Sequence, residues 1–147
     1  MISLRPAAAA DQKTIVQIVK TAQINPADLK WRNFIVALDD ETRQIVSIGQ
    51  IKTHSDGSRE LASIATVPAY QRRGLAHQVI ERLLAGHTGR LYLTCLHTMS
   101  PFYEQFGFRV IEEKEMTPYY RRMMKLFNAY GVLSNSTHQL KIMLRDA

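Results

Sequence analysis

The chain has 147 residues, 46% of them apolar, and a net charge of +6 from 19 Lys+Arg against 13 Asp+Glu. A single cysteine, Cys95, excludes an intramolecular disulfide and a Cys-rich zinc site. No apolar run reaches the ~18 residues that would suggest a membrane span. This length suits one domain with a core of its own, so a single domain over 1–147 is expected.

The apolar start is short and interrupted by Arg5 and Asp11, unlike a signal peptide, so a cytoplasmic protein without a membrane partner is expected. The positive balance suits a polyanionic ligand, and nucleic acid is one class. A nucleic-acid module would carry a continuous basic stripe with interleaved aromatics, and only 119–125 resembles one. Nucleic acid is therefore not the expected partner.

In chain order, Ile2 to Arg5 reads as a first strand that Pro6 ends. Asp11 is placed to cap a helix, whose apolar face is Ile15, Val16, Ile18, Val19 and Ala22. Asn25-Pro26 breaks it. Asn33 to Leu38, Gln44 to Lys52 and Arg59 to Val67 read as three antiparallel strands. Asp39-Asp40-Glu41 and Asp56-Gly57 form the turns between them. Gly49 suggests a bulge in the second strand, and His54 and His87, near turns, are expected at the surface.

Leu75, Val79, Ile80, Leu83 and Leu84 then follow helical spacing, with Gly86 as a stop. Leu91 to Leu96 is a buried strand, and Ser100-Pro101 opens a short helix that Gly107 ends. Phe108 to Ile111 restarts a strand, so a parallel crossover is expected from Leu91 to Ile111. Pro118 to Tyr130 reads as a helix and Leu140 to Leu144 as a last strand. The predicted fold is α+β, with one mixed, mostly antiparallel sheet and helices on both faces.

The chemistry concentrates in Glu60 to Ala76. A strand ends near Val67, a loop crosses, and a helix begins near Gly74. A helix start exposes N–H groups without partners and carries partial positive charge, which suits phosphate. Gly74 and Ala76 let an anion approach the backbone, and Arg72 and Arg73 add charge at the rim. The plainer alternative is a helix start with two surface arginines. Neither G-x-x-x-x-G-K-[ST] nor G-x-G-x-x-G occurs, so nucleotide and dinucleotide loops do not fit.

Gln71-Arg72-Arg73-Gly74-Leu75-Ala76 resembles the Q/R-x-x-G-x-G/A signature of the GNAT superfamily of N-acetyltransferases. Pro101-Phe102-Tyr103-Glu104-Gln105-Phe106-Gly107-Phe108 resembles that family's F-Y-E-x-x-G-F segment, in the same order and context. The resemblance implies acetyl transfer from acetyl-CoA to a primary amine on a small molecule or peptide, in one ternary complex, with no metal. It implies that Gln71, Arg72, Arg73, Gly74, Leu75, Ala76 and His77 hold the pyrophosphate, largely through backbone N–H groups. Ile64, Ala65 and Thr66 would pair with the pantetheine arm as an added strand. This strand would splay from Leu91–Leu96, helped by a bulge near Ile64–Thr66, and an N–H near Thr66 would meet the oxyanion.

The same resemblance makes Glu60 the base and Tyr103 the acid that protonates the leaving thiolate. The alternatives are a surface Glu60 beside Arg59 and a core Tyr103 packed with Phe102 and Phe106. Many members carry an Asn where this chain has Leu96-His97-Thr98-Met99-Ser100, so His97 or Ser100 is left to replace it. Cys95 reads as core. The segment 112–138, with its basic and aromatic 118–127, is either acceptor-lining or simply amphipathic. Many members of that family are dimers, so the resemblance leaves a homodimer open. A non-catalytic acyl-CoA sensor on the same fold is the alternative function, and it would need neither Glu60 nor Tyr103.

Overall fold

The computed structural model describes residues 1–131 and 139–146. They form two compact units: Met1–Lys52 with Leu61–Thr88, and Thr53–Glu60 with Gly89–Ala147. The strands among the described residues make a mixed, mostly antiparallel sheet with one parallel pair.

The first unit holds β1 (Ile2–Pro6), α1 (Gln12–Ala22), β2 (Phe34–Asp39), most of β3 (Ile45–Thr53) and β4 (Arg59–Thr66), and α2 (Leu75–Ala85). Its strands are hydrogen-bonded in the order β1-β2-β3-β4. Pro6 does not follow β1 as expected but is its last residue, opposite Ile35. An edge strand tolerates a missing N–H there. Ile15, Ile18 and Val19 of α1 are buried with Phe34, Val36, Ile48 and Ala65, which realises the predicted apolar face. α1 ends at Ala22 because Gln23 turns left-handed, φ 56°, two residues before Asn25-Pro26.

Asp11 does not cap α1 with its side chain. Its carboxylate instead accepts the Ala8 N–H at 2.7 Å and the Arg5 guanidinium at 2.7 Å. The Arg5 hydrogen bonds, more than anything else, hold that carboxyl below its usual range. Gly49 is not a bulge either. The register shift between β2 and β3 falls at Ala37/Leu38, and Gly49 pairs regularly with Ile35. Its reason is packing: a Cβ on Gly49 would lie 2.6 Å from Ile64 Cδ1 and 2.8 Å from Val79 Cγ1 of α2. Ile48 packs with α1 while Gly49 meets α2, so alternation along β3 puts these helices on opposite faces of this unit's strands.

The second unit begins with the turn at Asp56-Gly57, where Gly57 has φ 85°. It continues with β5 (Leu91–Leu96), α3 (Ser100–Glu104), β6 (Arg109–Ile111), α4 (Pro118–Gly131) and β7 (Leu140–Arg145). The order here is β4-β5-β7-β6. β4 and β5 meet in parallel at Glu60↔Tyr92, and β7 is antiparallel to both β5 and β6. β5 and β6 thus run parallel as the strand–helix–strand order implied, but β7 lies between them. Ile142, Met143 and Leu144 are buried in succession, the pattern of a strand covered on both faces. Arg109 and Val110 of β6 are exposed, as suits the three-residue outer strand.

Tyr120 of α4 is fully buried with Tyr92, Ile111, Ile142 and Leu144, and Met123 and Met124 pack beside it. Arg121, Arg122 and Lys125 are exposed. The amphipathic reading of 118–127 therefore holds. Of the segment expected to influence acceptor choice, residues 132–138 lie outside the described residues. Among the described residues, no helix is long and apolar enough to cross a membrane.

Candidate active site

In the first unit, the chain leaves β4 at Thr66, makes one 3-10 turn over Pro68–Tyr70, and enters α2 at Leu75. Two left-handed residues steer it, Arg72 at φ 65° and Gly74 at φ 76°. Gly74 is the N-cap residue, and no side chain caps the helix there. The first-turn N–H groups therefore lack the usual internal partner and sit at the positive end of the dipole. A Cβ on Gly74 would meet nothing within 4 Å, so the space in front of the helix start is open. Leu75, Val79, Ile80 and Leu83 are buried and hold α2 in place.

Side chains brace this loop from behind. Gln71 donates its amide N–H to the Thr66 carbonyl at 3.1 Å. Arg73 donates to the Ala69 carbonyl at 3.3 Å, with its guanidinium 4.9 Å from the centre of the Tyr70 ring. The Tyr70 hydroxyl donates to the Asp39 carboxylate. That bond lowers the Asp39 carboxyl from its ordinary value and raises the Tyr70 phenol. His77 contacts Glu81 one turn on, at 2.8 Å. Open backbone, a missing cap and a left-handed glycine fit a diphosphate group, as held in acetyl-CoA.

The residues expected along the pantetheine occupy the end of β4 in this unit. The Ile64 side chain meets Gly49, Ala65 is buried against α1, and the Thr66 hydroxyl lies 2.9 Å from that of Ser47. A bulge is expected near Ile64–Thr66; what the structure shows beside it is a left-handed residue at Ser63, φ 57°.

In the second unit, Glu60 is 7% exposed, which rules out the surface alternative. Its Oε1 lies 2.6 Å from His54 Nε2 and accepts the Tyr120 hydroxyl at 3.4 Å. Oε2 has no hydrogen-bond partner among the described residues. His54 is 8% exposed, against the expectation of a surface histidine. Its ring stacks on Tyr119 with centroids 3.6 Å apart and a 13° interplanar angle. The Tyr119 N–H donates to the Asp56 carboxylate at 3.0 Å, which docks the start of α4 on the hairpin turn. Burial works against Asp56, but its hydrogen bonds from Ser58 and Tyr119 outweigh that and hold the carboxyl well below its ordinary value. Burial, reinforced by the Glu60 charge, raises the Tyr120 phenol far above its ordinary value. Sequence reasoning missed His54, Tyr119 and Tyr120. The one local signal was an adjacent aromatic pair behind a helix-starting proline.

Tyr103 is half-buried in α3, with Phe102 and Phe108 edge-on at 5.1 and 6.4 Å. Its hydroxyl has no hydrogen-bond partner among the described residues. Desolvation, with a smaller contribution from Cys95, pushes the phenol up to about 12. Cys95 is buried beside Met143 (sulfur to sulfur 3.8 Å), and burial raises its thiol, as a packed core cysteine requires. His87 is half-buried rather than at the surface, and His97 is exposed. The Ser100 hydroxyl donates to the His97 carbonyl at 2.8 Å, so it closes a local turn. The structure thus gathers Gln71–His77 with Thr66 in one unit, and Glu60 and Tyr103 in the other.

A family model for the acetyltransferase (GNAT) domain matches residues 30–110. No curated protein sequence matches the chain. Among solved structures, N-acetylglutamate synthase from Neisseria gonorrhoeae, complexed with coenzyme A and N-acetyl-glutamate, is similar at TM-score 0.73 and 16% identity. That match covers 99% of this chain, which spans 35% of the synthase chain. Rv2747 from Mycobacterium tuberculosis, in complex with CoA, is similar at TM-score 0.73 and 22% identity, over 99% of both chains. Ard1 from Thermoplasma volcanium is similar at TM-score 0.68 and 15% identity, over 99% of this chain and 97% of that one. At these identities the likeness is one of fold. The family match, which covers more than half of the chain, goes further: the chain belongs to the GNAT family of acetyltransferase domains.

Proposed function

We propose that the chain works as a single acetyltransferase domain, moving an acetyl group from acetyl-CoA to a primary amine of a small molecule. The observation that carries this reading is the uncapped, open start of α2 at Gly74, which suits the diphosphate of acetyl-CoA. The CoA found with two similar folds supports it, and N-acetyl-glutamate in one of them supports a small acceptor.

The bound thioester supplies an activated acetyl carbon. Backbone N–H groups of Arg72 to His77 hold the diphosphate, and Ile64–Thr66 offer backbone to the pantetheine. Glu60 Oε1 is fixed by His54 and Tyr120, which leaves Oε2 to accept a proton from the amine as its nitrogen attacks. Tyr103 stays protonated across the neutral range and donates its proton to the departing sulfur, releasing CoASH. An N–H near Thr66 meets the oxyanion. Glu60 then returns its proton to solvent and Tyr103 regains one.

Release of CoASH from acetyl-CoA with a panel of amines tests this reading, together with calorimetric titration of CoA. Turnover on an amine is the expected result. Binding of acetyl-CoA without turnover on any amine would favour the sensor alternative, and loss of both would overturn the site.

A further inference from the structure

We infer that Gln50 and Lys52 recognise the acceptor, and that it is an amine carrying a carboxylate, a free amino acid. This rests on the acetyltransferase reading and names the substrate class of that activity. Ile48, Gln50 and Lys52 share one face of β3 by strand alternation. Ile48 belongs to the apolar core beneath α1. The next two inward positions are polar, which a packing role does not explain.

Gln50 is fully enclosed, at 0% exposure, opposite Phe34 of β2. Its amide nitrogen donates to the Asp28 carbonyl at 3.2 Å and to the Ser63 hydroxyl at 2.8 Å. Both partners hold left-handed backbone, φ 56° at Asp28 and φ 57° at Ser63, a conformation that costs energy in residues other than glycine. The amide is thereby held in one orientation, and its Oε1 is left buried with no hydrogen-bond partner. Native proteins rarely leave such an acceptor unused.

Lys52 is 4% exposed and makes no hydrogen bond or ion pair to any described residue. The stem of Lys52 is thus packed away while its ammonium, which is not among the buried unpartnered atoms, keeps an open side with no counter-charge, and a carboxylate is the group that would pair with it. A donor for Gln50 Oε1 and a carboxylate for Lys52, two positions apart on one strand, are the two ends of a small zwitterion. The charged groups of polyamines and aminoglycosides are all cationic, and Lys52 would repel them. Ser63, which anchors the amide, immediately precedes Ile64–Thr66, the segment assigned to the pantetheine.

The test measures CoASH release with free amino acids, with their carboxamides and with spermidine, for the wild type, Lys52→Met and Lys52→Arg. The wild type should turn over at least one amino acid with kcat/KM about 100-fold above its carboxamide, the scale of a site built for a charged group. In Lys52→Met that ratio should fall to about one while Tm rises, because an unpartnered charge has been removed. Lys52→Arg should keep a ratio well above one. Turnover confined to carboxylate-free amines would overturn the inference while leaving the acetyltransferase reading intact. So would equal losses on acid and carboxamide, or a lower Tm in Lys52→Met. Acetyl-CoA binding with no turnover on any of these amines would instead overturn the acetyltransferase reading, and the inference with it.

Discussion

The two ends of β4 are built on opposite principles. At its start, Glu60 enters a cluster of packed side chains, His54, Tyr119 and Tyr120, drawn from a hairpin and a distant helix. At its end, the chain passes into a loop whose working parts are backbone, exposed and shaped by left-handed residues. The first region depends on which side chains meet, so conservative changes in shape should still alter chemistry. The second depends on conformation and empty space, so bulk and charge should matter more than side-chain identity.

Gly74→Glu should do the most damage. It forces a left-handed position on a non-glycine residue and puts a carboxylate where the diphosphate would lie. CoA affinity should fall by roughly 10²-fold or more, since charge-assisted bonds are lost and replaced by repulsion. Gly74→Ala, which meets no neighbour within 4 Å, should cost far less affinity. Calorimetric titration separates the two, and equal affinities in wild type and Gly74→Glu would show that the diphosphate lies elsewhere.

Glu60→Gln keeps the shape of the packed cluster and removes the charge. Turnover should fall by about 10²-fold, the lower end for general base catalysis, with CoA affinity unchanged. Full activity in steady-state assays would reduce the cluster to a structural one.

Tyr103→Phe should lower turnover by roughly tenfold. Its hydroxyl bonds to no described residue, so little stability should be lost near neutral pH. At high pH the two proteins should diverge. The phenol is raised from 10.0 to about 12, so folding favours its neutral form. That contribution is complete below pH 10 and is lost as pH rises toward 12. The wild-type Tm should therefore drop more than that of Tyr103→Phe across this window. Parallel melting curves from pH 9 to about 12 would contradict the desolvated phenol.

The smallest effect belongs to Gly49→Ala. The new methyl must displace Ile64 Cδ1 and Val79 Cγ1, now 2.6 and 2.8 Å from its position. Overpacking of this size costs about 1–2 kcal/mol in denaturant unfolding. A gain in stability would show that α2 has room to spare.

Local pattern was enough to read most elements. The Ile15/Ile18/Val19 spacing placed α1, and Asp56-Gly57 placed the turn before β4. The open helix start at Gly74 was legible because a glycine at a strand-to-helix junction carries its meaning in its own backbone. The environment of Glu60 was not. His54 precedes a tight turn, where a histidine is ordinarily wet, and the tyrosine that covers it lies 65 positions further on. Gly49 was misread for the same reason: the side chains that forbid a Cβ there belong to α2 and to β4. β7 could not be placed between β5 and β6 because strand order depends on long-range pairing.

Arg73 lies flat on Tyr70 and gives its N–H to Ala69, so one of the loop's two cations is turned to its own chain. An acetyl-CoA diphosphate resting on Gly74 would then be gripped more by aligned peptide dipoles than by ion pairing. Dipoles fixed in a short loop act over a few ångströms, within the screening length of physiological salt. Such a grip should choose its ligand by the tetrahedral shape of phosphate rather than by total charge. It should also weaken little as ionic strength rises, which would let the domain hold its donor among competing anions.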